Sequence, residues 1–200
     1  MSPHRIHLLA FILFALWLGM LLLGGPASPA DHALLALFQA PVLVPVAQAI
    51  THLGNWTLLI PISVAGAVLL AWRASRRSAL VYLILIFAGR IIVEFEKAEV
   101  GRQRPPPVGR MVDVTSLAFP SGHAAYSMMA WLGLALLGAP KGHRALAVSL
   151  AVAIAITVGL TRLVLAVHWP SDVIGGWAFG AGWALLFVRL AEGTAPAPRH

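Results

Sequence analysis

The chain has 200 residues, of which 60% are hydrophobic and only 10% are charged. Water-soluble domains keep about a quarter of their residues charged, so this composition excludes a soluble globule. The absence of cysteine excludes disulfides, thiolate nucleophiles and cysteine-ligated metal sites. The formal net charge of +7 is spread over short loops between apolar segments, which argues against nucleic-acid binding.

Apolar segments long enough to cross a bilayer, at about 20 residues each, recur along the whole chain. They run over residues 6–24, 55–72, 78–95, 121–139, 145–163 and 171–190. Together they predict an all-α, polytopic membrane protein. We expect a six-transmembrane-helix bundle that forms one domain over residues 1–200.

Two N-terminal segments complicate this count. Residues 33–53 are apolar but include Pro41, Pro45 and two glutamines, which favours interfacial helices in the first outer loop over a seventh crossing. The small residues at 27–30 resemble a signal-peptide cleavage region. The first apolar stretch, at about 18 residues, is nevertheless longer than the usual signal core of 7–15 residues, so we expect this span to be retained.

The distribution of charge predicts the orientation in the membrane. If alternate loops share a side, one side carries the whole net charge of +7. Its charged residues are Arg5, Arg73, Arg76, Arg77, Lys141, Arg144, Arg189, Arg199 and Glu192. Positive loops resist translocation, so this side is predicted to be cytoplasmic. The other side is then expected to face the periplasm or the exterior, and we expect the membrane to be the bacterial inner membrane.

Three polar clusters lie in loops that this topology brings to the outer face. They are Lys97 with Arg104-Pro105, then Pro120-Ser121-Gly122-His123, then Thr161-Arg162 with His168 and Asp172. Arginine and lysine side chains complement phosphate oxygens, so Lys97, Arg104 and Arg162 can neutralise a phosphate dianion. Ser121 and Gly122 lie where the fourth span begins, and the free N–H groups of a helix start attract anions.

The two histidines supply the remaining chemistry of a phosphoryl site. A neutral imidazole can attack phosphorus, and Asp172 follows His168 by about one helical turn, where it can hold the other ring nitrogen. His123 can protonate the leaving oxygen. This pattern requires no metal and no other cofactor, because the cations neutralise the charge.

The three clusters, in this order and with these spacings, resemble the signature of the type 2 phosphatidic acid phosphatase superfamily. The resemblance covers most of the chain and implies metal-independent hydrolysis of a phosphomonoester or pyrophosphate through a phosphohistidine. It implies that His168 is the nucleophile, Asp172 its partner and His123 the general acid. The phosphate-binding residues implied are Lys97, Arg104, Ser121, Gly122 and Arg162. The third motif of the family usually begins with serine, whereas this chain has Thr161, whose hydroxyl we expect to contact phosphate as well.

Membrane embedding predicts that the substrate is a lipid phosphate or lipid pyrophosphate, dephosphorylated at the outer leaflet. Undecaprenyl pyrophosphate, phosphatidylglycerol phosphate and phosphatidic acid all fit, and the sequence identifies neither the lipid nor the oligomeric state. Such a lipid can enter along residues 33–53. No obligate protein partner is evident. The alternatives are an anion or lipid-phosphate transporter that uses the same cations, a vanadate-dependent haloperoxidase, and a purely structural membrane protein.

Other polar or small residues have simpler interpretations. Arg90 and Glu94 are four residues apart on the third span and are expected to pair. Gly176 and Gly180 are expected to serve helix packing. Arg102 is not expected to contact the substrate. Taken singly, Lys97 or Arg162 is more typical of a cation that anchors the end of a span; the combined spacing favours the catalytic interpretation.

Overall fold

A computed structural model describes residues 2–106, 112 and 114–192, so the predicted inner-side residue Arg199 lies outside the described residues. Within the described residues, the regular structure is helical. The α-helices are α1 (Pro3–Leu23), α2 (Pro29–Leu37), α3 (Val44–Thr51), α4 (Trp56–Arg73), α5 (Arg76–Val100), α6 (Gly122–Gly138), α7 (Arg144–Val164) and α8 (Pro170–Glu192). Each of the six predicted spans corresponds to one long helix, so the predicted all-α polytopic fold is confirmed.

Five of these helices, α1, α4, α5, α7 and α8, are long and apolar enough to cross a membrane. The sixth, α6, has 17 residues and lies at the lower end of the usual range of about 17–25 residues for a span. It packs against α4, α5, α7 and α8 and is the most enclosed helix of the bundle. Large apolar side chains on the outer helices, such as Phe11, Val68 and Ile91, are exposed, as expected for surfaces that face lipid.

Small residues allow α8 to lie close to α6. A Cβ atom on Gly176 would lie 2.6 Å from the carbonyl oxygen of Ser121, and one on Gly180 would lie 2.6 Å from that of Ala125. Helix association in lipid depends on such close packing, because an apolar side chain is about as favourable against lipid tails as against another helix. The expected packing role of Gly176 and Gly180 is therefore confirmed, and it places the start of α6 against α8.

The loop between α1 and α4, which the sequence predicts to be the first outer loop, contains the short helices α2 and α3, with 3-10 turns at Pro41–Leu43 and His52–Gly54. Pro41 and Pro45 lie in the first turns of their helical segments. A backbone N–H there has no partner within the helix, so the missing N–H of proline costs no hydrogen bond. Neither α2 nor α3 is long enough to span alone, and the two parts of the loop are bent by 69°. The loop turns back over the bundle, and α3 packs against α7.

Helix ends position the polar clusters. Glycine 101 ends α5 in the left-handed conformation, with a φ of 63°, and its N–H bonds to the carbonyl oxygen of Lys97. Lys97 therefore lies on the last turn of α5, and the chain turns sharply before Arg102 and Arg104. The starts of α6 and α8 and the end of α7 lie at this same end of the bundle, whereas Arg73, Arg76 and Lys141 lie at the other end.

Candidate active site

A polar cavity of about 170 Å³ lies where α5 ends and α6 begins. Most of the predicted site residues line it: Lys97, Arg104, Gly122, His123, Arg162 and His168. Ser121 and Asp172 adjoin it, since Ser121 precedes Gly122 and Asp172 contacts His168. A larger cavity of about 290 Å³ lies between α4, α6 and α7 at the opposite end, but its wall is apolar apart from Arg73. The polar cavity is therefore the candidate active site.

Lys97 and Gly122 approach each other closely at the start of α6. The Lys97 side chain is buried, and its Nζ donates to Glu94 Oε1 at 3.1 Å. A Cβ atom on residue 122 would lie 3.1 Å from this Nζ and 3.0 Å from the Tyr126 ring. A side chain at this position would therefore require the ammonium group and the ring to shift by a few tenths of an ångström.

Arg104 is held by the chain on both sides of the cavity. Its Nε donates to the carbonyl oxygen of Ser116 at 2.5 Å, and its Nη2 donates to the Ser116 hydroxyl at 2.9 Å. Its Nη1 donates to the carbonyl oxygen of Val167 at 2.6 Å and lies 2.9 Å from His168 Nε2. This fork of fixed donors places a permanent positive charge beside the imidazole.

The contact with Arg104 assigns the tautomer of His168. Guanidinium nitrogens only donate, so Nε2 of His168 must accept and carry the lone pair. The ring proton of the neutral imidazole is then on Nδ1, which lies 3.4 Å from Asp172 Oδ2. Nε2 therefore carries the lone pair that a nucleophile requires, and the hydrogen bond from Arg104 must be released before this lone pair can attack.

Asp172 is wholly buried and anchored from several directions. Its Oδ2 accepts the backbone N–H of Trp169 at 2.8 Å, and its Oδ1 accepts Nη1 of Arg102 at 2.9 Å. Its carbonyl oxygen accepts the N–H of Ser121 at 2.9 Å, which joins the start of α8 to the start of α6. The predicted pairing of Asp172 with His168 is therefore present, within a larger network than the sequence indicated.

Arg162 reaches the cavity from the last turn of α7. Its side chain is 3% exposed, and its Nη1 donates to Thr51 Oγ1 at 2.7 Å. The neighbouring Thr161 makes its hydrogen bond within α7. Its hydroxyl donates to the carbonyl oxygen of Val158 in its own helix at 2.6 Å, because the side chain lies on the buried face of α7. Thr161 is not among the described residues that line the cavity, and its contact with phosphate stays a prediction.

Ser121 and His123 flank the N-terminus of α6. Ser121 is the N-cap residue, yet its hydroxyl makes no cap hydrogen bond and, among the described residues, has no partner. It is wholly buried, so this hydroxyl is held in place by packing alone. His123 lines the cavity on the first turn, where the partial positive charge of the helix start adds to that of the cations.

Positive charge surrounds the His168 imidazole. Burial, together with the charges of Arg104, Arg162 and Lys97, lowers the pKa of His168 well below its ordinary value of 6.5. The ring therefore stays neutral in neutral and mildly acidic solution. A neutral imidazole surrounded by three cations can attack an anionic phosphate, whereas an imidazolium has no free lone pair.

Several residues of the site were missed or interpreted too simply from the sequence. Thr51 contacts Arg162, and Ser116 holds Arg104; neither belongs to a motif. Arg90 and Glu94 pair as expected, at 3.8 Å, but both also line the cavity. Glu94 in turn accepts a hydrogen bond from the Tyr126 hydroxyl. Helical spacing indicated the Arg90–Glu94 pair but not which face of α5 turns to the cavity.

Comparison with known proteins identifies the family of this chain. Residues 78–194 match the family model of the PAP2 superfamily. The chain is 30% identical over 193 residues to phosphatidylglycerophosphatase B of Bacillus subtilis, covering 92% of each chain. It is 36% identical over 153 residues to decaprenylphosphoryl-5-phosphoribose phosphatase of Mycobacterium tuberculosis, covering 73% of this chain and 79% of the other.

A solved structure shares the fold as well. The crystal structure of a transmembrane PAP2-type phosphatidylglycerolphosphate phosphatase from Bacillus subtilis superposes with a TM-score of 0.85 at 25% identity. The superposition covers 94% of this chain and 98% of that one. The resemblance drawn from the three motifs is thus confirmed. The chain belongs to the PAP2 superfamily and is a membrane phosphatase of that family.

Proposed function

We propose that this protein removes phosphate from a lipid phosphate or lipid pyrophosphate by attack of His168 on phosphorus. The observation that carries the proposal is the contact between Arg104 and His168 Nε2 at 2.9 Å, in a cavity also lined by Lys97, Arg162 and His123. That contact keeps the ring proton on Nδ1 and places the guanidinium beside the nucleophilic nitrogen, so a phosphate that binds Arg104 draws the guanidinium away and frees the lone pair next to phosphorus.

In the first step, Nε2 of His168 bonds to phosphorus and the bond from phosphorus to the lipid oxygen breaks. His123 gives its proton to that oxygen, so the dephosphorylated lipid leaves as a neutral hydroxyl or as a shorter phosphate. Asp172 holds the Nδ1 proton and balances the positive charge that develops on the His168 ring.

In the second step, water attacks the phosphohistidine and His123 takes the proton from that water. The phosphorus–nitrogen bond breaks, which releases inorganic phosphate and restores the neutral imidazole. Lys97, Arg104 and Arg162 stabilise the charge on the phosphoryl oxygens in both steps, and preorganised donors of this kind contribute about 100- to 1,000-fold each. The backbone of Gly122 and the buried Ser121 hydroxyl complete this set.

The substrate class follows from the size and surroundings of the cavity. A volume of about 170 Å³ holds a phosphate and a small headgroup but not a lipid tail. The tail then stays in the bilayer, along the exposed apolar side chains of the first outer loop such as Leu37, Val42 and Val46. The relatives are named for phosphatidylglycerol phosphate and for a decaprenyl-linked phosphoribose, so two different lipid phosphates are dephosphorylated within this family.

Topology supports an outward-facing site. The basic residues Arg73, Arg76 and Lys141 lie at the end of the bundle opposite the cavity, and basic loops stay in the cytoplasm. The phosphatase would therefore act at the periplasmic or extracellular face of a bacterial inner membrane.

A panel of lipid phosphates tests this proposal. The purified protein in detergent or liposomes, with EDTA present, is expected to release phosphate from at least one of phosphatidylglycerol phosphate, phosphatidic acid and undecaprenyl pyrophosphate. Vanadate is expected to inhibit release, because it mimics the phosphoryl group at the same cations. No release from any of the three lipids, or release that requires a divalent metal, would contradict the proposal.

The pH dependence follows from the lowered pKa of His168. Only the neutral imidazole attacks, so activity is lost when the ring is protonated, and a lowered pKa moves this loss to more acidic pH. The acid limb of kcat/KM is therefore expected below pH 6.5. Two substrates whose phosphate groups ionise at different pH values separate the enzyme's limb from the substrate's. An acid limb at or above pH 6.5 with both substrates would refute this assignment.

A further inference from the structure

We infer that Arg102 and Asp31 are positioning residues of the active site: through a buried chain of hydrogen bonds they hold the Asp172 carboxylate behind the nucleophile. This inference rests on the proposed role of His168. It adds to the site two charged residues that contact neither the cavity nor, by the proposed mechanism, the substrate.

Arg102 uses its guanidinium to join three parts of the chain. Its Nη1 donates to Asp172 Oδ1 at 2.9 Å and to the Ser171 hydroxyl at 3.1 Å. Its Nη2 donates to the carbonyl oxygens of Met20 and Leu21, in the last turn of α1, at 3.0 and 2.7 Å. The side chain is buried, with its guanidinium over the Phe119 ring at 4.3 Å. The planar guanidinium donates to these four acceptors at the same time, which the single ammonium group of a lysine cannot do.

Asp31 completes the chain from the other side. Its Oδ2 accepts the Ser171 hydroxyl at 2.5 Å and the N–H of Gly25 at 2.6 Å, and its Oδ1 accepts the N–H of Ser171 at 2.9 Å. The Ser171 hydroxyl thus gives its one proton to Asp31 and accepts from Arg102, so every donor in the chain has an acceptor. Asp31 is buried, and it is the only acidic residue before Glu94.

The charges alternate along this network. Asp31 lies behind Ser171, Arg102 lies between the two carboxylates, and Asp172 faces His168. Arg102 occupies the oxygen of Asp172 that His168 does not use, which prevents the carboxylate from rotating away from Nδ1. Because two of the partners of Arg102 are backbone carbonyls in the last turn of α1, the first helix takes part in orienting the nucleophile.

The network therefore predicts an effect on the chemical step and not on phosphate binding. The variants Arg102→Gln, Arg102→Lys and Asp31→Asn are expected to lower kcat by about 10- to 100-fold, the range known for the loss of groups that orient metal-binding side chains. KM and the vanadate inhibition constant should stay within about twofold, since Lys97, Arg104 and Arg162 are unchanged. Ser28→Ala is the matched control, because Ser28 only caps α2 through the N–H of Asp31 and should leave kcat unchanged.

Rates are taken per active site, titrated as phosphoenzyme or as bound vanadate, so partial misfolding does not imitate a slower chemical step. The double variant Arg102→Gln with Asp31→Asn should lose no more than Arg102→Gln alone, because both act through Asp172. A kcat within threefold of wild type, a parallel change in KM and vanadate inhibition, or multiplicative losses in the double variant would overturn the inference. A wild-type protein that forms no phosphoenzyme would instead contradict the proposed function.

Discussion

Replacing His168 with alanine or asparagine is expected to lower phosphate release from the preferred lipid by at least about 10,000-fold, because it removes the atom that attacks phosphorus. Loss of a nucleophile has effects of this size or larger in hydrolases that form covalent intermediates. The cations would remain, so His168→Ala should still bind vanadate and substrate.

Two measurements check this expectation. Phosphate release is followed with purified protein, and covalent phosphate is trapped by rapid quenching with labelled substrate. The wild type should carry acid-labile phosphate on residue 168, and His168→Ala should carry none. His143→Ala is the control, because His143 lies on the exposed turn at the opposite end of the bundle and should leave both quantities unchanged.

The same experiment separates hydrolysis from transport. A transporter that uses Lys97, Arg104 and Arg162 as an anion site needs no nucleophile, so it would tolerate the loss of His168 and release no phosphate in either form. Undiminished hydrolysis by His168→Ala would overturn the assigned chemistry while leaving the family membership intact.

The sequence predicts which residues lie near the cavity better than it predicts the hydrogen bonds that hold them there. Lys97, Gly122, His123 and Arg162 lie at helix ends, and the direction of each span places those ends at one face without knowledge of the packing. The prolines in the first outer loop likewise predicted a break into short helices. Such features depend on local pattern and on topology, both of which can be read along the chain.

The supporting contacts depend on tertiary structure and carry no local signal. Arg162 and Thr51 are 111 residues apart, and Asp31 and Ser171 are 140 residues apart. Both contacts arise because the first outer loop folds back over the bundle. The sequence predicts only that Arg102 does not contact the substrate; the turn at Gly101 that directs Arg102 towards Asp172 is visible only in the structure. In the sequence, Asp31 is distinguished only as an isolated acidic residue in an apolar N-terminal region.

The second large effect is expected from Arg104→Lys, which keeps the positive charge but removes the fork. We expect kcat/KM to fall by about 100- to 1,000-fold and vanadate inhibition to weaken in parallel. A lysine ammonium is a single charged group with three donors, so it cannot hold Ser116, Val167 and His168 Nε2 in the geometry of the guanidinium.

Arg73→Lys is the matched control, because it makes the same exchange at the other end of the bundle and should change neither quantity. The parallel loss of turnover and vanadate binding is the informative result, since it distinguishes Arg104 from Arg102, where only turnover should fall. If Arg104→Lys stays within threefold of wild type, net charge alone would explain phosphate binding. The contact that assigns the tautomer of His168 would then have no part in the reaction.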